Sequence, residues 1–258
     1  MIIIKKTREV GTSAGVLLPR EWLNKQVIVQ LIIPDTKIIK KRVIDILVEK
    51  DLLQEVIGIY QTGSIARNES DEYSDIDILI VTENYSGTIN EENYSIILIP
   101  KKELEKSLEK NPIYYLPMIK EAKTIINPEL IAKYKKYKLT KKGVLSYIKS
   151  SMVAIKRSNH LISLDEELGD KNTSDAVAYS LVLRIRGAYI LESIINNKMW
   201  NKKELIKIIN NKKIYQGYLA RKEKKKNNRN YIPIDEAKVL IKLLENMLQK
   251  LEKWAKEK

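Results

Sequence analysis

Two short stretches decide the central fold of this chain: Gly63-Ser64-Ile65-Ala66-Arg67 and, soon after it, Ser74-Asp75-Ile76-Asp77. The first stretch follows an apolar run, residues 55–60, that is typical of a buried strand. A helix can begin directly after Gly63, so the turn would present free backbone N–H groups, the positive end of a helix dipole and the Ser64 hydroxyl. Because glycine lets the backbone approach a ligand closely, this turn is a candidate phosphate site.

The two aspartates of the second stretch open another apolar strand, residues 76–81. Asp75 and Asp77 are two residues apart, so on a strand both carboxylates face the same side. Two carboxylates this close repel each other unless a cation neutralises them. Mg²⁺, with Mn²⁺ as the alternative, is the expected cation, because it prefers oxygen ligands and shares them with substrate phosphates. We therefore predict that Asp75 and Asp77 are catalytic and bind metal.

Each stretch alone has a plainer interpretation, since Gly-Ser before a helix is a common cap and Asp-x-Asp is frequent on exposed edge strands. The combination is much rarer. With ten residues between them, the motifs resemble those of the DNA polymerase β-like nucleotidyltransferase superfamily, and more narrowly the minimal nucleotidyltransferases, which include antitoxins and relatives of aminoglycoside nucleotidyltransferases. The resemblance covers about residues 50–130. It implies that Gly63 and Ser64 hold the triphosphate of an NTP, with ATP expected, and that the aspartates bind Mg²⁺.

One position departs from the family pattern. The family usually has a third carboxylate in the middle of the next strand, where it completes the metal site and takes the proton from the attacking hydroxyl. That strand is residues 94–99 here, and the expected position is Ser95, which can do neither. Glu91 or Glu92, just before the strand, could substitute. Otherwise the domain would bind nucleotide but catalyse poorly.

The resemblance also suggests further nucleotide contacts. Arg67 would lie near the phosphates, although an arginine there could instead pair with Glu69 or Asp71. In two-domain nucleotidyltransferases a helical domain closes over the nucleotide and acceptor, with arginine on phosphate and tyrosine on a base. Helix surface and core packing are the alternative for each candidate. The candidates for this cleft are Arg184, Arg186, Tyr215, Tyr218 and Arg221.

The first 33 residues form a separate β-rich unit with strands expected at residues 2–4, 16–18 and 27–33. So small a unit buries too little surface to be stable alone, so it should pair with a second copy or pack on the rest of the chain. The run from Thr7 to Leu23, with its Leu-Pro-Arg-Glu segment, resembles the AbrB/SpoVT-type swapped-hairpin domain. The resemblance implies an interlocked homodimer that binds DNA or only dimerises. The candidate DNA contacts are Lys5, Lys6, Arg8, Arg20 and Lys25.

The hydrophobic pattern divides the chain into three predicted domains and an α+β fold. Residues 1–35 are the small β domain. Strands alternate with helices in residues 36–128, which predicts a mixed-sheet nucleotidyltransferase domain with helices at 37–53 and 101–110 and a last strand at 124–126. Residues 129–258 show no convincing strand and predict an all-α bundle. Its helices are expected at residues 129–138, 140–165, 174–197, 202–210 and 235–257.

Charge and composition narrow the function further. Lys and Arg number 47 against 33 Asp and Glu, a net charge of +14, which favours nucleic acid, nucleotides or an acidic protein as partners, although it can also serve solubility alone. Two basic stretches, residues 133–142 and 221–229, are candidate RNA contacts. Without cysteine the chain has no disulfide or thiol chemistry, and its one histidine, His160, is expected to be structural. No apolar run can span a bilayer, so we expect a cytoplasmic protein without membrane association.

Three functions remain open. The first is an enzyme that transfers an NMP, expected to be AMP, from an NTP to a hydroxyl of a protein, RNA or small molecule. The second is a dimeric, antitoxin-like DNA-binding regulator whose weakened site only senses nucleotide. The third, supported by the basic stretches, is an RNA-modifying transferase.

Overall fold

The computed structural model describes residues 3, 5, 7–29, 35–69, 74–110, 112–222 and 232–257. The chain divides into two compact units, residues 1–41 and residues 42–258. No helix in the described ranges is long and apolar enough to cross a membrane.

A short hairpin is the regular structure of the first unit. Strand β1 (Arg8–Val10) pairs antiparallel with β2 (Ser13–Gly15). Gly11 turns the chain between them with a φ of +59°, a conformation that glycine adopts without steric cost. One turn of 3₁₀ helix, Arg20–Trp22, follows Pro19.

The longer strands expected in this unit are not present where it is described. The strand predicted at residues 16–18 is wrong, because no neighbouring strand in the described part of the unit offers these residues a hydrogen-bonded ladder. Residues 27–29 are also not a strand, while residues 2, 4 and 30–33 lie outside the described residues. The swapped hairpin and the homodimer therefore stay predictions.

A five-stranded mixed sheet forms the centre of the second unit, as predicted. In the strand order β5-β6-β4-β3-β7, β4 and β6 are parallel and the other neighbours are antiparallel. The sequence does not predict β5, whose run Gly-Thr-Ile-Asn-Glu holds one apolar residue and is a strand because it pairs along β6. The strands are β3 (Val56–Thr62), β4 (Ile76–Thr82), β5 (Gly87–Glu91), β6 (Tyr94–Pro100) and β7 (Lys123–Ile126).

The helices around the sheet follow the predicted pattern with one addition. Helix α4 is not predicted, because Pro117 resembles a helix breaker, but proline is well tolerated in the first turn of a helix. Apolar side chains of β3, β4 and β6 pack with those of α3, α4 and α5 into one buried cluster. The helices are α1 (Thr36–Glu49), α2 (Gly63–Ala66), α3 (Lys101–Lys110), α4 (Leu116–Glu121) and α5 (Pro128–Lys135).

The remaining helices share a second apolar core, which confirms the helical character of the C-terminal part. Two corrections apply. A two-residue pair, β8 (Asn172–Thr173) with β9 (Ile232–Pro233), forms where the ends of α6 and α10 meet, and α9 forms despite Gly217 in its middle. The helices are α6 (Lys141–Glu167), α7 (Asp175–Ile195), α8 (Lys202–Ile209), α9 (Lys212–Lys222) and α10 (Ile234–Glu257).

Candidate functional site

The turn after β3 and the second aspartate of the Asp-x-Asp pair lie against each other. Gly63 begins α2 with a φ of +73°, in the left-handed region that favours glycine. A Cβ atom added to Gly63 would lie 1.9 Å from Asp77 Oδ2, far closer than any real contact. Only glycine therefore allows the turn to approach this carboxylate so closely, and the fold brings the two sequence motifs into one place.

A row of polar residues crosses four neighbouring strands at this point. Thr62 pairs with Asp77, Asp77 with Ser95, and Ser95 with Asn90. Laterally paired residues of a sheet present their side chains to the same face, so the four side chains form one row across the strands. Asp77 is half-buried in this row. Asp75 is exposed and lies one residue before β4 begins, so only Asp77 is within the strand.

The register places Ser95 directly beside Asp77, at the position where the third carboxylate is expected. Glu91 pairs with Tyr94, whose side chain is on the opposite face of the sheet. The Glu91 carboxylate accepts a hydrogen bond from Arg42 at 2.9 Å and forms an ion pair with Lys50 at 3.1 Å. Glu92 accepts from the same Arg42 nitrogen at 3.0 Å. The structure thus places neither glutamate beside Asp77.

Asp75 and Asp77 are the residues that could hold a metal ion. No group of three or more histidine, aspartate or glutamate side chains forms a metal site within the described ranges. Mg²⁺, however, commonly binds proteins through one or two carboxylates and completes its coordination with water and substrate phosphates. A half-buried and an exposed carboxylate beside an approachable glycine turn fit such an ion.

Arg67 is committed to ion pairs inside the protein. Its side chain is 8% exposed, and Nε donates to Glu69 at 2.8 Å while Nη1 donates to Glu121 at 2.6 Å. The pairing with Glu69 is one of the two alternatives that the sequence left open, and Asp71 lies outside the described residues. Glu121 is an unpredicted partner, 54 residues along the chain.

Glu121, the last residue of α4, is the functional candidate that the sequence does not reveal. Its Oε1 accepts from the Gly63 N–H at 2.8 Å, and Oε2 accepts from Trp200 Nε1 at 3.2 Å as well as from Arg67. Burial raises the pKa of Glu121, while Arg67 and the two other donors oppose that rise. No local signal marks this glutamate, because its partners come from two distant segments, residues 63–67 and Trp200.

Arg186 is the candidate of the helical half that reaches Trp200: its guanidinium lies 5.0 Å from the centre of the Trp200 ring, which Arg67 approaches to 3.7 Å. Arg186 also lies beside Tyr218, whose ring centre is 5.8 Å from that of Tyr215. Arg184 donates to Ser150 and lines a different cavity, of about 500 Å³, between α6 and α7.

Two of the other three candidates are buried and the third forms an ion pair. Tyr215 and Tyr218 lie in the helical core, and burial raises the pKa of Tyr218. Arg221 pairs with Asp175 at 2.6 Å. A role of these three residues in a nucleotide cleft stays a prediction.

The basic stretches are only partly described. Lys133 pairs with Glu105 at 3.1 Å, and Lys135 donates to the Ala122 carbonyl at 2.8 Å, so both lysines have protein partners. Residues 223–229 of the second stretch lie outside the described residues. RNA contact through these stretches stays a prediction.

Comparison with known proteins agrees with this geometry. Residues 40–151 match the family model of the nucleotidyltransferase domain. A search of curated proteins returned no match. Among solved structures, a nucleotidyltransferase-like protein from Exiguobacterium sibiricum is 13% identical over 82% of this chain and 75% of that chain, with a TM-score of 0.35. A spectinomycin adenyltransferase from Enterococcus faecialis, solved with ATP and spectinomycin, is 14% identical over 81% and 98%, with a TM-score of 0.42.

At these TM-scores neither solved structure bears on the function, and the family match concerns residues 40–151 alone. It covers β3 to β7, including the glycine turn, the aspartate pair and Glu121, while Trp200 lies beyond it. Residues 40–151 thus match the nucleotidyltransferase domain, which agrees with the superfamily that the Gly-Ser and Asp-x-Asp motifs resemble.

Proposed function

We propose that this protein transfers an NMP, with ATP as donor and AMP as the transferred group, to a hydroxyl of another molecule. The close approach of Gly63 to Asp77 is the observation that carries the proposal. It supports the proposal because phosphoryl transfer needs a phosphate-binding turn and a metal-binding carboxylate close together, and Gly63 and Asp77 are the candidates for these two parts. The family match over residues 40–151 supports nucleotidyl transfer in general.

The chemistry requires one bond to form and one to break. The acceptor oxygen attacks the α-phosphorus, the bond to the β-phosphate oxygen breaks, and pyrophosphate leaves with the electron pair. The Ser64 hydroxyl binds and orients the triphosphate, and Asp75 and Asp77 would hold Mg²⁺. When bound, the ion supplies positive charge that stabilises the developing charge on the phosphoryl oxygens. The hydroxyl proton passes to water, because Ser95 cannot accept it.

The acceptor follows from the resemblance to antitoxins, which makes a tyrosine or serine of a partner protein the first choice. RNA is the alternative, supported by the net charge of +14. The setting proposed for this reaction is a cytoplasmic homodimer, paired through residues 1–33, which would also contact DNA if that unit is of the AbrB/SpoVT type.

A second function has a specific observation in its favour. Ser95 occupies the position beside Asp77 where a proton acceptor is expected. With no carboxylate there, the domain would bind nucleotide and transfer it slowly. The protein would then act as a nucleotide-sensing regulator.

Transfer of label from α-labelled NTPs with Mg²⁺, in a lysate of the source organism, tests both functions. We expect label on a macromolecule, and a loss of about 100-fold or more with Asp75→Ala plus Asp77→Ala. The matched control is Glu91→Gln plus Glu92→Gln, which removes two carboxylates on the Arg42 side and should retain transfer. Nucleotide binding without transfer from any of the four NTPs would contradict the enzyme and favour the regulator.

A further inference from the structure

The buried carboxylate of Glu121 lies on α4, outside the Gly63–Ser64 turn, and accepts a hydrogen bond from the Gly63 N–H. We infer that Glu121 is the positioning residue of the Gly63–Ser64 turn, and that Trp200 connects the helical half of the chain to the turn through it. The inference rests on the proposed function, because the turn is the site that binds the triphosphate. It adds a residue that sets the geometry of that site and a route by which the helical half controls it.

Three donors from two segments of the chain converge on this carboxylate. They are the Gly63 N–H at 2.8 Å, Arg67 Nη1 at 2.6 Å and Trp200 Nε1 at 3.2 Å. The Glu121 side chain is only 5% exposed, so water cannot replace these partners. A buried carboxylate with a charged partner and two further donors is well satisfied, and it holds each donor in one direction.

Residues 200–202 donate two hydrogen bonds to glutamates that lie beside the turn. Trp200 donates to Glu121, and the Lys202 backbone N–H donates to Glu69 Oε1 at 2.8 Å. Glu69 in turn accepts from Arg67, whose guanidinium carbon lies 3.7 Å from the centre of the Trp200 ring. Residues 200–202 therefore contact Arg67 and Glu69 directly, and they reach Gly63 through Glu121.

A competing interpretation is that Glu121 occupies the place of a phosphate and must leave before nucleotide binds. Charge pairing disfavours it. Withdrawing Glu121 would strip Arg67 of its closest partner and leave the Gly63 N–H and the Trp200 indole without an acceptor, and each of these losses is costly in a buried site. A permanent brace is the arrangement that keeps every group satisfied. The Gly63 N–H then serves the protein, and the Ser64 hydroxyl remains for the phosphate.

Hydrogen exchange of the Gly63 amide tests the brace without any nucleotide. The full chain is compared with Glu121→Ala, with the conservative Glu121→Gln, and with Trp200→Phe, which keeps a ring but removes the N–H. We expect protection to fall in that order of severity, greatest for alanine. Glu105→Gln is the control, because Glu105 also forms an ion pair, with Lys133, but lies on α3. Unchanged Gly63 exchange in Glu121→Ala would overturn the inference.

Titration with ATP and Mg²⁺ tests the consequence for binding. We expect the dissociation constant to rise about tenfold in Glu121→Ala, with partial recovery in Glu121→Gln, and about two- to threefold in Trp200→Phe. Trp200→Phe retains Glu121 and Arg67, so it decides the matter if the alanine variant does not fold. Tighter ATP binding in the variants would overturn the brace and establish Glu121 as a competitor of phosphate. If the unchanged chain binds no NTP, the proposed function fails, while the exchange of Gly63 still decides the role of Glu121.

Discussion

Two carboxylates lie on either side of Gly63, and they differ in almost every physical respect. Asp77 meets the Gly63 Cα from the sheet, is half-buried, and has Ser95 and Thr62 as lateral neighbours. Glu121 meets the Gly63 N–H from α4, is 5% exposed, and accepts from three donors.

The difference shows how one chemical group serves chemistry on one side of the turn and architecture on the other. A carboxylate that binds a metal ion must be within reach of the ion, and Asp77 is half-buried in the polar row, not enclosed. A carboxylate that fixes a backbone must have all its acceptor positions used, which burial among donors achieves. Gly63 lies between Asp77 and Glu121, so substitutions around Gly63 should separate the chemical role of the first from the structural role of the second.

The largest effect is expected from Gly63→Ala, which changes the residue between the two carboxylates. Its φ of +73° is strained for alanine, and the new Cβ would overlap Asp77 Oδ2. We expect a loss of about 3 kcal/mol in the free energy of unfolding, measured with denaturant. Gly169→Ala is the matched control: its φ is +79°, but no atom lies within 4 Å of the added Cβ, so a loss of about 1 kcal/mol is expected. Equal losses in the two variants would contradict the close approach to Asp77.

A smaller effect, an increase in transfer activity, is expected from Ser95→Asp, which adds a carboxylate beside Asp77. The register puts the new carboxylate beside Asp77, where it can accept the proton of the acceptor hydroxyl. Transfer with Mg²⁺ should rise about tenfold. Asn90→Asp adds the same charge one strand further away and should raise transfer less. An unchanged rate in Ser95→Asp would show that the missing carboxylate does not limit this protein.

The smallest effect is a loss of stability at high pH, and it concerns Tyr60 in β3, the strand that leads into the turn. Tyr60 in β3 is fully buried and donates to the Asn127 carbonyl at 2.9 Å, and burial raises its pKa to about 12. Because the folded pKa exceeds the unfolded value of about 10, the stabilisation is complete below pH 10 and is lost as the pH rises toward about 12. Between about pH 9 and pH 11 the chain should lose about 1 kcal/mol more than Tyr60→Phe does, by denaturant unfolding. Parallel pH profiles of the two proteins would contradict this.

The sequence predicted most of the second unit because its signals are local. Apolar runs bounded by Gly63, Pro100 and Pro128 predict β3, β4, β6 and β7 close to their observed bounds. The mixed sheet follows from the alternation of strands and helices. The signals for β5 and α4 were missed because β5 depends on pairing with β6, and α4 on apolar packing beneath a proline that is allowed in its first turn.

The candidate site divides in the same way, into residues recognisable from the local sequence and residues that only the fold brings together. Gly63, Ser64, Asp75 and Asp77 are recognisable from their spacing, since glycine, hydroxyl and paired carboxylates in this order have few other uses. The family resemblance gives Ser95 as the position expected for a third carboxylate, and in the structure Ser95 pairs with Asp77 on the parallel neighbouring strand. The helical candidates could not be sorted, because helical spacing does not distinguish Arg186, near Trp200, from Tyr218, which is buried in the core.

The sequence by itself determined a phosphate-type turn, an aspartate pair and a serine where a carboxylate is expected, because these depend on neighbours in the chain and on strand periodicity. Only the tertiary structure decided what holds the turn. Arg67, Glu121 and Trp200 meet across 54 and 79 residues of chain, and their pairing exists because the packing of α4 and the segment before α8 excludes water from one carboxylate. Burial of that kind is a property of the folded whole, and no local pattern of residues encodes it.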